Sequence, residues 1–402
     1  MRVLLAHNYY QQPGGEDRVF AAEASLMERY GHEVVRFCMH NDHVSDCSRL
    51  VLAAKTVWNS SVHRELQATI RRVKPDICHF HNTFPLISPA AFHAAKSEGI
   101  PVVLTLHNFR LLCPGATFLR QGVVCQDCKG KLLAWPAVAH ACYRRDRAAT
   151  ATVAAMLFAH RLLGTWQGAI DRYIALTRMA RERFVEGGIA PHRIVVKSNF
   201  IDPDPGFCSQ RESHALFVGR LSPEKGVSTL LEAWRLLDSP IQLRIAGDGP
   251  EAGLVADAAK VDSRIRWLGR LSSVEVMNEM KRARCLIAPS IWFEGGVPLT
   301  VLEAFATGLP VLASSIGAME EEIGTQDVGL LFRPSDAADL AARVSWCWEH
   351  PERIAELGNR ARARFEACYT AERNYRELME IYLGAANRSL AMGECAAVMA
   401  GD

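Results

Sequence analysis

The sequence predicts an α/β protein made of two doubly wound parallel-sheet domains. Three observations carry this reading. Short apolar runs of strand length alternate with longer helical ones. That rhythm stops near Asn199 and restarts at Ala215, across a stretch rich in Pro and polar residues. The 402 residues suffice for two cores, at roughly 150 residues per domain.

In chain order, Arg2–Ala6 reads as a buried strand. Asp17–Tyr30 reads as a helix with Val19, Ala22, Leu26 and Tyr30 on one face and Gly31 as its stop. Strands follow at His32–Cys38, Asp76–His81 and Pro101–Leu106, with a helix at Ala91–Ser97. Ala148–Leu163 is a helix, and Tyr173–Leu176 and Ile194–Val196 are strands that close the first half. The second half alternates strands at Ala215–Val218, Ile241–Ala246, Ile265–Leu268, Cys285–Ala288, Pro310–Ala313 and Gly329–Phe332 with helices. Those helices are Ser228–Leu237, Glu251–Ala259, Ser273–Lys281 and Thr300–Ala306, then Asp336–His350 and Pro351–Glu366. The domains are therefore 1–200, with a Cys-containing insertion at about 108–145, and 214–370, joined by a linker at 201–213. Residues 371–387 form a helix placed to cross back to the first domain. Residues 388–402 are a weakly patterned tail, expected to be poorly ordered. Two such sheets should face each other across a cleft at the C-terminal ends of their strands.

Composition narrows the function. Apolar residues are 49% and charged residues 22%, as in an ordinary globular protein. Forty-six basic against 44 acidic side chains leave a net charge of +2, which argues against a nucleic-acid partner. The N-terminus lacks the apolar core of a signal peptide, and no stretch has the length of a membrane span. Twelve cysteines are too few for a disulfide scaffold, so the compartment reads as cytoplasmic with reduced thiols.

Three segments carry chemistry. Gly14-Gly15 lies between the first strand and first helix, where glycine lets backbone N–H groups approach an anion. Neither it nor Gly247-Asp248-Gly249-Pro250 makes the G-x-G-x-x-G fingerprint, which removes the main support for a dinucleotide oxidoreductase. Arg220 and Lys225 follow a strand end in Val218-Gly219-Arg220-Leu221-Ser222-Pro223-Glu224-Lys225-Gly226, offering a planar fork and a mobile point charge to phosphate. Glu294 sits in a Gly-rich loop, free to bind hydroxyls. Glu303 lies one turn into the next helix among apolar neighbours, where a carboxylate needs donors such as a sugar diol. The N–H groups near Leu299 and Thr300 would meet a phosphate.

With these segments the chain resembles the retaining glycosyltransferases of family 4, from Arg2 to about Leu383. The specific matches are V-G-R-L-S-P-E-K-G at 218–226, G-D-G-P at 247–250 and L-E-A-F-A-T-G-L-P-V at 302–311. The resemblance implies a GT-B fold, two Rossmann-like domains facing a cleft. It implies that Arg220 and Lys225 hold the donor diphosphate, that Glu303 binds the ribose, and that Glu294 contacts the transferred sugar. Gly15 matches the glycine loop near the donor phosphates, and His107 a histidine that contacts the donor sugar. Two departures stand out. Eight residues separate Glu294 from Glu303 where the family usually has seven, and Ser198-Asn199-Phe200 stands where Pro-Asn-Gly is common. The implied reaction moves a sugar from a nucleotide-sugar donor to a glycan, lipid-linked or small-molecule acceptor, in polysaccharide or glycoconjugate assembly, with no cofactor required for catalysis. A nucleotide-sugar epimerase of the same fold and a non-catalytic sugar-nucleotide-binding protein are the competing readings.

Three features stand apart. Asp202-Pro203-Asp204 is a lexical D-x-D, but it lies in the linker. Cys113, Cys125, Cys128 and Cys142, spaced C-x11-C-x2-C-x13-C, read either as a structural zinc site, with His140 as a substitute ligand, or as unlinked or redox thiols. The Ala148–Leu163 helix, flanked or interrupted by Arg144, Arg145, Arg147 and Arg161, reads as core, with peripheral contact to the inner face of a membrane as its functional alternative.

Overall fold

The computed structural model describes residues 1–12 and 14–399, with the backbone alone over 388–399. It divides into two compact units. The first holds Met1–Phe118, Gln126–Ser198 and the chain from Glu372, and the second holds Asn199–Ala371 together with Leu119–Cys125.

The first unit runs β1 (Arg2–Tyr9), α1 (Gly15–Arg29), β2 (Glu33–His40), α2 (Arg49–Val57), α3 (Ser60–Val73), β3 (Ile77–Asn82), α4 (Ala90–Ser97) and β4 (Val102–Leu106). A small hairpin, β5 (Leu119–Arg120) and β6 (Val123–Val124), comes next in the chain. Then follow α5 (Trp135–Ala139), α6 (Arg147–Leu162), α7 (Thr165–Gly168), β7 (Arg172–Ala175), α8 (Arg178–Glu186) and β8 (Ile194–Val196). The six-stranded sheet has the order β2-β1-β3-β4-β7-β8, and its pairings are parallel. A parallel sheet is covered on both faces, so its central strands should be apolar throughout. β3 departs from that rule. All six of its residues are buried, yet it reads Ile-Cys-His-Phe-His-Asn.

The second unit repeats the scheme with β9 (His214–Val218), α9 (Val227–Leu236), β10 (Gln242–Ala246), α10 (Ala252–Val261), β11 (Ile265–Gly269), α11 (Ser273–Arg282), β12 (Cys285–Ala288), α12 (Leu299–Thr307), β13 (Val311–Ser314) and β14 (Gly329–Phe332). Its order is β11-β10-β9-β12-β13-β14, again parallel. The helices α13 (Ala337–Glu349) and α14 (Pro351–Cys368) complete it, and α15 (Ala371–Met399) ends the chain. One apolar layer joins Trp234, Leu243 and Ile245 to Val344 and Leu357. A second joins Leu216, Leu286 and Phe305 to Phe365.

Two segments behave differently from their composition. The Pro-rich stretch at 201–213 is tied to the second unit. Ile201 enters its core, Asp204 receives both arms of Arg362 at 2.7 Å, and Arg211 donates to the carbonyls of Met280, Ala283 and Thr307. Asp204 is thus committed to an arginine, which sets it against a metal role for the D-x-D. The helix α15 places Leu378, Tyr382 and Ala385 in the first unit's core beside Val3, Phe20 and Ile174. The segment from 388 read as a tail continues this helix to Met399, and 400–402 lie outside the described residues.

Candidate functional site

In the second unit the Arg220 loop rests on the loop after β10. The Gly219 N–H donates to the Ala246 carbonyl (3.1 Å), Leu221 N–H to Asp248 (2.9 Å) and Glu251 N–H to Leu221 (2.9 Å). Gly247 and Gly249 hold φ of 146° and 156°, and a Cβ on them would sit 1.8 Å from the Gly219 carbonyl oxygen and 2.5 Å from that of Leu221. Only glycine fits both the dihedral and the approach. The run G-D-G-P is therefore a platform for the Arg220 loop. In the sequence it registers as a failed dinucleotide fingerprint and as a family match, with no role attached.

Arg220 is exposed at the end of this loop, and Lys225 is half-buried. Lys225 Nζ donates to Glu294 Oε1 at 2.5 Å, Ser290 Oγ donates to the same oxygen at 3.1 Å, and the ammonium lies 5.5 Å from the Trp292 ring centroid. The two loops are stitched by Ile291 N–H to the Glu224 carbonyl at 3.0 Å. Gly226 has φ 72°, and a Cβ there would lie 1.9 Å from the Pro289 carbonyl oxygen. With eight residues between Glu294 and Glu303, Glu294 is paired with Lys225. Trp292 and Ser290 had no signal in the motif. Trp292 Nε1 is buried without a hydrogen-bond partner.

After Gly295-Gly296, α12 begins at Leu299 with Pro298 as N-cap and no side chain capping it. The first N–H groups of this helix, including those of Leu299 and Thr300, have no intrahelical acceptor, and the helix end carries partial positive charge. Glu303 sits on the same helix, 3% exposed among Leu302, Ala304 and Phe305. Two cations, an uncapped helix start and two carboxylates can hold a phosphorylated, hydroxyl-bearing molecule.

In the first unit, Gly14 N–H donates to Asp17 Oδ2 (2.7 Å), and His7 Nε2 meets Asp17 Oδ1 (2.6 Å). The glycine loop therefore faces a carboxylate of its own helix, and Gly15 is that helix's first residue. The polar residues of β3 explain themselves here. Glu23 of α1 accepts from Lys197 Nζ at 2.6 Å, and both side chains are 1% exposed. His81 Nε2 lies 3.2 Å from the other Glu23 oxygen, and His81 Nδ1 lies 3.0 Å from His107 Nε2. His79 is held between Thr105 Oγ1 and the Tyr382 hydroxyl, each at 2.8 Å. Burial alone would raise the Glu23 carboxyl, but the Lys197 ammonium and then His81 outweigh it and hold it well below its ordinary value. Burial first, and the neighbouring His81 second, hold His79 and His107 well below the ordinary histidine value, so both are neutral at pH 7.

The ligand atoms of Glu23, His79 and His81 lie within 4.8 Å of one another. The Lys197 ammonium already balances that carboxylate, and a fixed cation opposes a metal ion there. His81 and His107 line a pocket of about 570 Å³, open to solvent, with Asn108, Arg110, Met156 and Trp166. Neither Glu23 nor Lys197 was legible as a site residue in the sequence.

The cysteine set does not gather. Among the described residues, no three of Cys113, Cys125, Cys128 and Cys142 bring their sulfurs within 4.8 Å of one another. Cys128 is buried with Ala134, Ala137 and Ala154, where it packs as a small apolar residue, and Cys142 lies against that cluster. Within this insertion α5 packs on α6.

Comparison with known proteins adds the following. The model described as "Glycosyltransferase Family 4" matches residues 13–205, and "Glycosyl transferases group 1" matches 207–364. A D-rhamnosyltransferase of Pseudomonas aeruginosa is 32% identical over 159 residues, 39% of this chain and 41% of that protein. The chain spans about two fifths of the length of the first curated relatives it matches, 41% and 42%. A phosphatidyl-myo-inositol mannosyltransferase of Mycolicibacterium smegmatis is 24% identical across 98% of this chain and 100% of its own. The solved structure of Anabaena HepE in complex with UDP superposes with a TM-score of 0.66 at 16% identity, covering 94% of this chain and 99% of that one.

Proposed function

The chain belongs to the family-4 glycosyltransferases of GT-B fold, and from that premise we propose that it moves a sugar from a nucleotide diphosphate donor to an acceptor hydroxyl with retention at the anomeric carbon. One observation carries the reading. Lys225 and Glu294 meet in the loop that leads to the uncapped N-terminus of α12, and Glu303 is buried one turn further on. Arg220, Lys225 and the α12 N-terminus hold the diphosphate and stabilise the charge that grows on it as the C1–oxygen bond breaks. Glu303 accepts from the ribose hydroxyls, and Glu294 contacts the transferred sugar. The departing phosphate takes the acceptor's proton as the acceptor attacks the face it leaves. This chemistry requires neither a protein nucleophile nor a metal. The relatives named above for rhamnosyl and mannosyl transfer, and the UDP bound by HepE, support a nucleotide sugar as donor.

Thermal shift against a panel of nucleoside diphosphates and nucleotide sugars tests the donor site. A ligand at 100 times its Kd should stabilise the native state by about 2.7 kcal/mol. The expected result is a shift with one base, lost in Glu303→Ala. No shift with any nucleotide would refute the reading.

A specific surface favours an acceptor presented at a lipid surface. Leu50, Trp135, Leu162 and Leu163 are 85%, 60%, 63% and 59% exposed. Arg161 donates to the Leu132 carbonyl (2.9 Å), and His160 Nε2 donates to the Val57 carbonyl (2.8 Å), so the ends of α2 and α6 and the segment before α5 lie together. Exposed Arg49, Arg144, Arg145 and Arg147 lie at the starts of α2 and α6. Exposed apolar side chains at the end of α6 and exposed cations at its start are features that suit an anionic bilayer surface. Among the described residues no helix is long and apolar enough to cross a membrane. The chain should sediment with vesicles containing phosphatidylglycerol but not with pure phosphatidylcholine, and Leu162→Ser with Leu163→Ser should abolish this. Equal binding to both vesicles would refute a charge-dependent contact.

A further inference from the structure

We infer that His160, Thr165 and His93 form an acid-labile clasp that fastens the end of α2 to α6, α7 and α4, and that proton uptake at His160 releases α2. The clasp stands on contacts within the first unit, and its use rests on the reading above that this face meets a lipid surface. α2 needs such a fastening. Of its nine residues only Thr56 is buried, so apolar burial alone grips it weakly. Its last residue, Val57, offers its carbonyl to His160 Nε2 at 2.8 Å. His160 Nδ1 meets Thr165 Oγ1 at 2.8 Å, and the same oxygen meets His93 Nε2 at 2.8 Å. His160 and Thr165 are fully buried.

Proton placement follows from the carbonyl at one end. A carbonyl only accepts, so His160 carries a proton on Nε2. Burial is the largest influence on this ring and holds it below the ordinary histidine value of 6.5, so it is neutral at pH 7.5. Its Nδ1 is therefore a lone pair, and Thr165 donates its hydroxyl hydrogen there. Thr165 Oγ1 is left to accept, which places a proton on His93 Nε2. Three hydrogen bonds thus run one way, from His93 through Thr165 and His160 to Val57.

A second proton on His160 can go only to Nδ1, where it opposes the Thr165 hydroxyl hydrogen. The hydroxyl must then turn away, and a charge is left in a buried site. No carboxylate acts on either ring. His93 of α4 is the neighbour that acts on His160, and His63 of α3 acts on His93, both of them bases. Other charged groups around the clasp are committed elsewhere. Lys55 of α2 donates to Cys47 Sγ, Lys96 of α4 pairs with Asp171, and Arg161 of α6 donates to the Leu111 and Leu132 carbonyls. α7 carries no ionisable residue. In the open form water solvates a charged His160, so its value there is the ordinary one. The fastening is complete above about pH 6.5 and weakens as pH falls below it. An anionic bilayer concentrates cations, protons included, at its surface. The surface that attracts Arg49 and Leu50 would thereby loosen the helix that bears them.

Backbone amide hydrogen exchange on the full chain, corrected for intrinsic rates, tests this at pH 7.5 and 5.5. One proton taken up only in the open form raises the opening constant about 10-fold over that interval. The α2 amides should therefore lose about 10-fold more protection than those of β4. In His160→Gln, whose amide donates to Val57 but does not titrate, the excess loss should vanish. Equal losses in α2 and β4 of the wild-type chain overturn the clasp. So does an excess loss that persists in His160→Gln. Should that variant not fold, Thr165→Ser and Thr165→Val carry the test at pH 7.5. Serine keeps the hydroxyl and should keep the α2 protection, whereas valine should lower it, and equal protection in the two overturns the clasp. Exchange needs neither donor, acceptor nor vesicle, so failure of the lipid-surface reading and failure of the clasp remain separate results.

Discussion

Lys225→Ala should lower kcat/KM for glycosyl transfer by at least about 100-fold, or roughly 3 kcal/mol of transition-state stabilisation. The ammonium is only 25% exposed, so its field is less screened than that of a surface lysine. It is also the partner of Glu294 at 2.5 Å, with Trp292 beside it. Truncation removes a cation from the leaving group and leaves a carboxylate, 13% exposed, to which Ser290 still donates. That uncompensated charge would repel the diphosphate. The double variant Lys225→Ala with Glu294→Gln should therefore recover part of the nucleotide affinity without recovering turnover. Arg220→Ala should cost less in affinity, because Arg220 is exposed and leaves no buried partner behind. Steady-state rates of nucleotide release with each chain, set against background hydrolysis, make the measurement. Near-normal turnover in Lys225→Ala would sink the assignment of the second unit as the donor site.

How far the sequence reaches depends on how local the signal is. The alternation of strand and helix is local, so β8, β12 and β14 fall on Ile194–Val196, Cys285–Ala288 and Gly329–Phe332, where apolar runs end at polar or turn residues. The helices α2 and α3 have no counterpart in that reading. α3 buries only Val62, Leu66 and Ile70, one residue per turn, and α2 buries only Thr56, so neither presents a broad apolar face. The residues proposed for the donor side lie in contiguous loops at strand ends, where a local motif can mark them. The His81–Glu23–Lys197 cluster was not legible, because α1, β3 and the residue after β8 contribute to it from distant parts of the chain. The cysteine set is the opposite case. Spacing alone suggests a site, but burial of Cys128 among alanines is a packing property that no spacing reveals.

The largest loss of stability should come from Gly247→Ala. The new methyl would lie 1.8 Å from the Gly219 carbonyl oxygen, at a φ of 146° that L residues rarely adopt. Strain and overpacking each cost about 1–3 kcal/mol. Together they predict about 3–5 kcal/mol, near the upper end for single substitutions. For a domain of this size that corresponds to a fall in Tm of about 10 °C. The obstruction is backbone, so no rotamer change can relieve it. Relief requires the Gly219–Leu221 segment to move, and Arg220 would move with it. Gly247→Ala should therefore lose nucleotide binding as well as stability. Gly253→Ala provides the contrast within the same unit. Gly253 lies inside α10 with no heavy atom within 4 Å of its added Cβ, so alanine there should stabilise by about 0.5–1 kcal/mol. If both substitutions left Tm unchanged, the close approach of the β10 loop to the Arg220 loop would be wrong. If Gly247→Ala unfolded the unit early while Gly253→Ala raised its Tm, the glycine at 247 would be required by the geometry that holds Arg220.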